Sequence, residues 1–210
     1  PRTTIAGILA AMCGVPRDGY YEVFTRNTSA IALQPLSDYR TLTIPSLGLG
    51  TNPDETMSSA GGTGRKSVKV QYPDSTDNRQ IHSYEVLVNP AYRIDVAVED
   101  PEFYATLKTH LEAGTSYYPP SMGLSEYLAS IEYHGEFEPT RVDTTGAVFV
   151  ESVVPDLVDD VVPAPASTHR VERLPGVMEA HDGGRRTTEF IDYAFAESGE
   201  LTINTNTGMP

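Results

Sequence analysis

The sequence predicts an α+β fold in which an antiparallel sheet carries two helices on one face. Three observations support this prediction. Apolar residues at helical spacing open the chain, a second helix with clear end signals lies near its middle, and short alternating runs typical of strands surround both. The 210 residues suit one domain with an appendage and are enough to bury a core.

The first helix is predicted from apolar residues spaced i, i+3, i+4 and i+7. They are Ile5, Ile8, Leu9 and Met12. Gly14 followed by Pro16 predicts where this helix ends. Beyond it, residues 20–25 predict a short additional helix, and residues 29–36 and 40–45 predict strands.

The clearest helix is predicted over residues 101–113, because both of its ends carry a signal. Asp100 is a candidate N-cap, and Pro101 suits the first helical position. Gly114 suits the position just after the last helical residue. The predicted apolar face consists of Phe103, Leu107 and Leu111, joined by Tyr104.

Six further segments have strand patterns. They are residues 81–88, 92–98, 128–137, 147–154, 187–196 and 201–204. Asn89 and Pro90 separate the first two, which are expected to form a hairpin with each other. The last two are expected to form a terminal hairpin.

With one more strand before Pro1, the predicted order becomes β-α-β-β-α-β, the ferredoxin-like (RRM-like) unit. That strand is inferred from the pattern alone. Residues 1–154 are assigned to this unit. Residues 155–210 are assigned to a linker and a small C-terminal β extension, because Pro and acidic residues dominate their start.

The composition is strongly acidic, with 15 Lys and Arg against 29 Asp and Glu and a net charge of −14. This fits either an ordinary soluble acidic protein or a salt-adapted one from a halophilic cytoplasm. At ~1 M salt the Debye length falls to about 3 Å, so net charge no longer indicates which partners bind. No apolar run approaches the ~20 residues of a membrane span, and no signal-peptide pattern is present. A cytoplasmic protein is therefore expected.

Residues 1–17 and residues 56–73 are two long windows that contain no acidic residue. The second contains three basic side chains: Arg65, Lys66 and Lys69. In an acid-rich chain these windows are the candidate anion-binding surfaces. The alternative is that a Ser/Gly-rich loop lacks acids by chance.

No pattern of catalytic or metal-binding residues is evident. The single cysteine, Cys13, excludes an internal disulfide framework and cysteine-based zinc sites. The five histidines have no metal-ligand spacing, and no nucleophile elbow, P-loop or dinucleotide fingerprint occurs. The sequence therefore predicts no metal, no cofactor and no catalytic residue.

Several stretches resemble a single family. Residues 1–11 and 16–21 resemble the early part of the CRISPR-associated Cas-five family, and residues 117–129 (YYPPSMGLSEYLA) resemble its glycine motif. Residues 88–94 fit between them. The family belongs to the RAMP superfamily and occurs in type I Cascade complexes. The match spans most of residues 1–154 and is best to the type I-B branch, and with the composition it points to a halophilic archaeon.

The resemblance implies a ferredoxin-like RAMP domain with a thumb-like hairpin inserted at about residues 45–85. It implies a non-catalytic subunit in antiviral defence that caps the 5′ handle of the crRNA. Its partners would be the backbone (Cas-seven) and large (Cas-eight) subunits, with target DNA reached indirectly and no membrane contact. The chain departs from the family at its start, where the family's first strand and the basic-aromatic stretch after it have no counterpart.

Ten residues are the resulting candidates for RNA contact: Arg2, Thr3, Thr4, Arg65, Lys66, Lys69, Arg79, Tyr118, Gly123 and Ser125. The basic side chains would contact phosphates, Tyr118 would stack on a base, and Gly123 would let the backbone come close. Two alternatives stay open. One is a metal-independent endoribonuclease that processes precursor crRNA, with His134 or His82 as general base. The other is an acidic scaffold that binds only proteins.

Overall fold

The computed structural model describes residues 1–37, 40–49, 79–140, 146–155, 161–163, 169–181, 184–196 and 201–205. These ranges contain two helices and ten strands, and the strand pairs among them are antiparallel. The predicted α+β class is confirmed. The chain forms two compact units, of which the first comprises Pro1–Asp38 and Ala91–Pro210 and the second Tyr39–Pro90.

Helix α1 (Arg2–Met12) opens the first unit, as the apolar spacing predicts. Its buried side chains are Ile5, Ala6, Leu9, Ala10 and Met12. Cys13 caps the helix, and Gly14 follows with a left-handed φ of 73°. Glycine adopts this conformation readily because it has no Cβ. The predicted end of the helix is therefore confirmed.

The helix predicted over residues 20–25 is wrong, because the chain makes turns there. Tyr20 and Phe24 are nevertheless buried, and both belong to the cluster around α1. Their i, i+4 spacing imitates a helix face. However, a six-residue segment forms too few helical hydrogen bonds to offset the cost of nucleation.

Four strands lie between the two helices: β1 (Ser29–Pro35), β2 (Thr41–Leu49), β3 (Arg79–Leu87) and β4 (Tyr92–Val98). In the first unit β1 pairs with β4, and in the second unit β2 pairs with β3. The hairpin predicted from residues 81–88 and 92–98 is therefore wrong, although both strands exist.

The long-range β1–β4 pairing is favoured by the apolar surface that it buries. Ile31 lies opposite Val96, and Leu33 lies opposite Ile94. Ile31, Leu33, Val96 and Val98 pack against the cluster that contains α1. Burial of this surface stabilises the ladder, and neither strand's own pattern indicates its partner.

Helix α2 (Pro101–Ala113) has the predicted bounds and caps. The Asp100 side chain accepts a hydrogen bond from Phe103 N at 2.8 Å. Phe103 and Leu107 are buried in the cluster that contains α1. Tyr104 is instead 39% exposed, so it does not belong to the buried face.

The strand predicted over residues 128–137 is wrong, because only one isolated bridge forms there, at its first residue. Glu136 is held to α2 instead. It accepts hydrogen bonds from Lys108 Nζ at 2.6 Å and from the Tyr104 hydroxyl. The Lys108 bond, followed by the Tyr104 bond, holds the pKa of Glu136 below its usual range. The segment that contains Glu136 is therefore attached to α2 by hydrogen bonds between side chains.

Six strands follow: β5 (Gly146–Val150), β6 (Val154–Pro155), β7 (Val161–Pro163), β8 (Arg170–His181), β9 (Gly184–Phe195) and β10 (Leu201–Thr205). They form two three-stranded sheets, with the strand orders β5-β10-β7 and β6-β9-β8. The predicted terminal hairpin of β9 with β10 is therefore wrong. Both strands instead supply side chains to one buried cluster, including Ala194, Leu201 and Ile203.

The described strands form four separate sheets. In the first unit, β8 contacts α1, so the C-terminal strands lie against the N-terminal helix. A hydrogen bond from Val153 N to Leu33 O, at 2.8 Å, also joins the edge of β1 to the segment before β6. The domain boundary placed after residue 154 from the sequence stays a prediction.

Candidate nucleic-acid interface

The stretch at the start of the chain, residues 1–11, and the glycine motif, residues 117–129, meet at the C-terminal end of α1. Tyr117 N donates to Met12 O at 2.8 Å, and Tyr118 N donates to Ala11 O at 3.3 Å. Carbonyls of the last helical turn need partners outside the helix. Gly14 fits beneath the Tyr117 ring, since a Cβ there would lie 2.7 Å from Tyr117 Cγ. The end of α1 therefore fixes the backbone that carries Tyr118.

The two tyrosine rings form an exposed aromatic pair. Tyr117 is 64% exposed and Tyr118 is 53% exposed. Their ring centroids lie 4.7 Å apart in a T-shaped arrangement. Exposed rings on a fixed backbone offer the flat surface on which an unpaired nucleobase stacks.

The glycine motif that follows is a closed loop. Met122 N donates to Tyr127 O at 2.8 Å. Gly123 has a φ of 109°, and a Cβ built on it would have no atom within 4 Å. Ser125 is exposed, and its hydroxyl donates to Glu126 Oε2 at 3.3 Å. Gly123 and Ser125 are therefore both exposed on this loop, Gly123 with bare backbone and Ser125 with a hydroxyl that is bonded to Glu126.

Arg2, at the other end of α1, braces the start of β1. Its Nη2 donates to Thr25 O at 2.7 Å, to Ser29 O at 2.8 Å and to Ser29 Oγ at 2.5 Å. Its Nε is buried and has no partner within the described residues. Burial lowers the pKa of Arg2. Its predicted phosphate contact stays a prediction, and the structure adds this bracing role.

Strand β8 closes over the start of α1. Arg2, Thr3, Tyr21, Gly176 and Met178 help to line a cavity of about 10 Å³. Such a volume is roughly what one water molecule needs, so it cannot hold a nucleotide. Thr4 is exposed on the same turn of the helix.

The ten predicted RNA contacts thus fall into separate groups. Tyr118, Gly123 and Ser125 share one loop, whereas Arg2 lies one helix length away, about 15 Å along α1. In the second unit, Arg79 begins β3, opposite Leu49 of β2. The other three basic residues lie outside the described residues: Arg65, Lys66 and Lys69.

An ion pair that no sequence pattern indicates joins β9 to the turn before β1. Arg26 Nη2 lies 2.7 Å from Glu189 Oε1, and Arg26 Nε donates to Glu189 Oε2 at 2.9 Å. The two residues are 163 positions apart. No local signal could have found this pair, because only the packing of β9 brings Glu189 to Arg26.

The groups proposed for nuclease chemistry lie in different units. His82 is exposed on β3 in the second unit, and His134 is exposed in the first. Burial raises the pKa of the Cys13 thiol to about 11, so it is protonated at neutral pH and is a poor nucleophile.

In the part of the chain that the structure describes, no group of three or more His, Cys, Asp or Glu side chains is arranged to hold a metal ion. None of the described helices is both long and apolar enough to cross a bilayer.

Comparison with known proteins adds no relative, since no known protein family matches this chain and no curated protein is significantly similar to it. The resemblance to the Cas-five family therefore rests on the motifs themselves. The geometry described above is independent of that resemblance.

Proposed function

We propose that this chain is a non-catalytic RNA-binding subunit of a type I CRISPR Cascade complex. It holds the 5′ handle of the crRNA and bridges the backbone (Cas-seven) and large (Cas-eight) subunits in the cytoplasm. One observation carries the proposal. The two stretches that resemble the Cas-five family most, at the start of the chain and at residues 117–129, are joined by hydrogen bonds between Tyr117, Tyr118 and the end of α1.

The finer fold proposed with this function is the ferredoxin-like RAMP domain. The order α1, β1, β4, α2 and the antiparallel β1–β4 pair agree with the middle of that unit. In the complete unit, the strand before the first helix lies between β4 and the strand after the second helix. The β2–β3 pair is the proposed thumb.

The proposed contacts follow the chemistry of single-stranded RNA. Tyr118 stacks on a splayed base, Gly123 lets the sugar-phosphate backbone approach, and the Ser125 hydroxyl bonds a phosphate or a 2′-OH. In the second unit, basic side chains contact phosphates. They are Arg65, Lys66, Lys69 and Arg79.

Replacing Tyr118 with Ala is expected to weaken RNA binding at every salt concentration, by about 1–3 kcal/mol for the loss of one stacked base. The test isolates the tagged complex, identifies the RNA that co-purifies by its defined 5′ end, and measures its affinity. Phe149→Ala is the matched control, because Phe149 is 57% exposed on β5, outside the motif loop. Equal affinity of the Tyr118→Ala variant and the wild type would contradict the proposed stacking.

The same preparation tests the endoribonuclease alternative. The protein is incubated without metal with a repeat-containing RNA. The proposal expects intact RNA. Cleavage that is lost in His134→Ala or His82→Ala would show that the chain is an enzyme.

The assembled complex is expected to keep its RNA above ~1 M salt. Phosphate contacts weaken by roughly 0.7 log units each per decade of salt, whereas stacking is far less sensitive. A chain with net charge −14 and few basic residues neutralises few phosphates, so the slope of log K against log salt should have a magnitude below about 4. Replacing Arg65, Lys66 and Lys69 with Ala together should flatten the slope by about 2. An unchanged slope in this variant would show that these three residues do not contact phosphates.

A further inference from the structure

The rings of Tyr117 and Tyr118 stand at a large angle to each other. Their planes make an angle of 71°, and their centroids lie 4.7 Å apart. A T-shaped contact of this kind sets the edge of one ring against one face of the other. Both residues are more than half exposed, so each ring keeps a free face. The pair therefore offers two stacking surfaces that point in different directions.

The backbone holds the two rings in this arrangement. The N–H groups of Tyr117 and Tyr118 both donate to carbonyls in the last turn of α1. The Tyr117 ring lies against Gly14, where a Cβ would come within 2.7 Å of the ring. Pro119 follows directly, and a proline restricts the backbone of the residue before it. The angle between the rings is thus built into the folded protein before any ligand binds.

This angle limits which form of RNA can use both rings. Successive bases in a helical strand stack on each other in nearly parallel planes. Two bases that lie flat on rings 71° apart cannot stack on each other as well. Unpaired RNA can splay its bases and stack them on aromatic side chains, whereas bases inside a double helix must first be unpaired and unstacked.

We propose that Tyr117 and Tyr118 together bind two successive nucleotides of single-stranded RNA, one base on each ring, and so hold that step of the strand open. The site accepts an unstacked step and rejects a stacked or base-paired one. This inference rests on the proposed RNA-binding function and deepens it. It assigns a second base-binding residue, Tyr117, and a conformation to the bound strand.

The test uses a tetranucleotide in which two neighbouring 2-aminopurines lie between two uridines. Stacked 2-aminopurines give an exciton-coupled circular dichroism signal at wavelengths where tyrosine does not absorb, and the chain contains no tryptophan. Saturation with the wild-type protein should abolish this signal. Tyr117→Ala and Tyr118→Ala each remove one of the two surfaces. Each should leave most of the signal and weaken binding by about 5- to 150-fold, the loss of one stacked base.

Three variants serve as controls. Tyr117→Phe and Tyr118→Phe keep both rings and should behave like the wild type. Phe149→Ala, which removes an exposed ring on β5, should do so as well. Gly14→Ala should act like Tyr117→Ala, because the added Cβ displaces the Tyr117 ring. Thermal melting checks that each variant is folded.

The outcomes separate this inference from the proposed function. A signal that survives saturation with the wild type overturns the inference. So does a folded Tyr117→Ala variant that binds like the wild type, or a wild type that does not bind the tetranucleotide. In these cases the proposed function stands as long as RNA co-purifies with the complex. If the wild type binds no RNA at all, the proposed function itself is overturned.

Discussion

Replacing Leu107 with Ala is expected to lower the free energy of unfolding by about 2–5 kcal/mol, the usual cost of deleting a buried leucine side chain. Leu107 is 3% exposed and belongs to the cluster that joins α2 to α1. The same cluster contains Leu9 and Phe103, and the ring of Phe103 packs edge-on against Phe24 at 5.2 Å between centroids. These side chains are held by two helices and a turn, so they cannot fully fill the cavity that the Leu107→Ala substitution leaves.

The change is measured by urea denaturation followed by circular dichroism. Thr109→Ala serves as the control, because Thr109 is exposed on the same helix, and substitutions at such positions usually stay within about 0.5 kcal/mol. A loss below about 0.5 kcal/mol for Leu107→Ala would place that side chain at the surface. The packing of the two helices described here would then be incorrect.

Replacing Gly176 with Ala is expected to destabilise the protein by about 1–3 kcal/mol through overpacking. Gly176 lies at the register shift in β8, between Pro175 and Val177. A Cβ there would come within 2.2 Å of Ile191 Cδ1 and 2.4 Å of Cγ1. Because Ile191 is only 3% exposed, its side chain has little room to move away. Thermal melting of the variant and wild type measures the effect.

A double-mutant cycle with Ile191→Ala identifies the cause. Ile191→Ala alone should cost about 2–5 kcal/mol as a large-to-small core change. Because it removes the atoms that clash, the double variant should lose less stability than the sum of the two single variants. Strict additivity would show that Gly176 is needed for its backbone conformation and not for the space beside Ile191.

The helices could be predicted from the sequence because their signals are local. Asp100, Pro101 and Gly114 mark the ends of α2 through hydrogen bonds and backbone angles within a few residues. The i, i+3, i+4 spacing that begins at Ile5 marks the buried face of α1 in the same way. Likewise, β1 and β4 could be located from their alternating patterns.

The pairing of strands could not be predicted, because it depends on how much apolar surface each pair of strands buries. The segments at 81–88 and 92–98 are neighbours in the chain, yet they pair in different units. Strand β8 is not predicted by the sequence. Its sequence, RVERLPGVMEAH, mixes charges with a Pro-Gly step and alternates poorly, and its register with β9 shifts at that step.

One part of the candidate site could be predicted from the sequence, and another part could not. Tyr118, Gly123 and Ser125 are apparent in the sequence as a motif, since a Pro/Gly turn with exposed aromatics is a local pattern. That this loop is bonded to the end of α1 was not apparent, because the hydrogen bonds join residues about a hundred positions apart.

The sequence by itself determined the α+β class, both helices with their ends, and the loop that carries Tyr118, because each depends on interactions within one or two turns of chain. The tertiary structure alone decided the strand pairing, the bracing role of Arg2, and the meeting of Arg26 with Glu189. These depend on burial of apolar surface between distant segments. That burial is non-directional and proportional to area, so a local pattern does not specify which partner provides it.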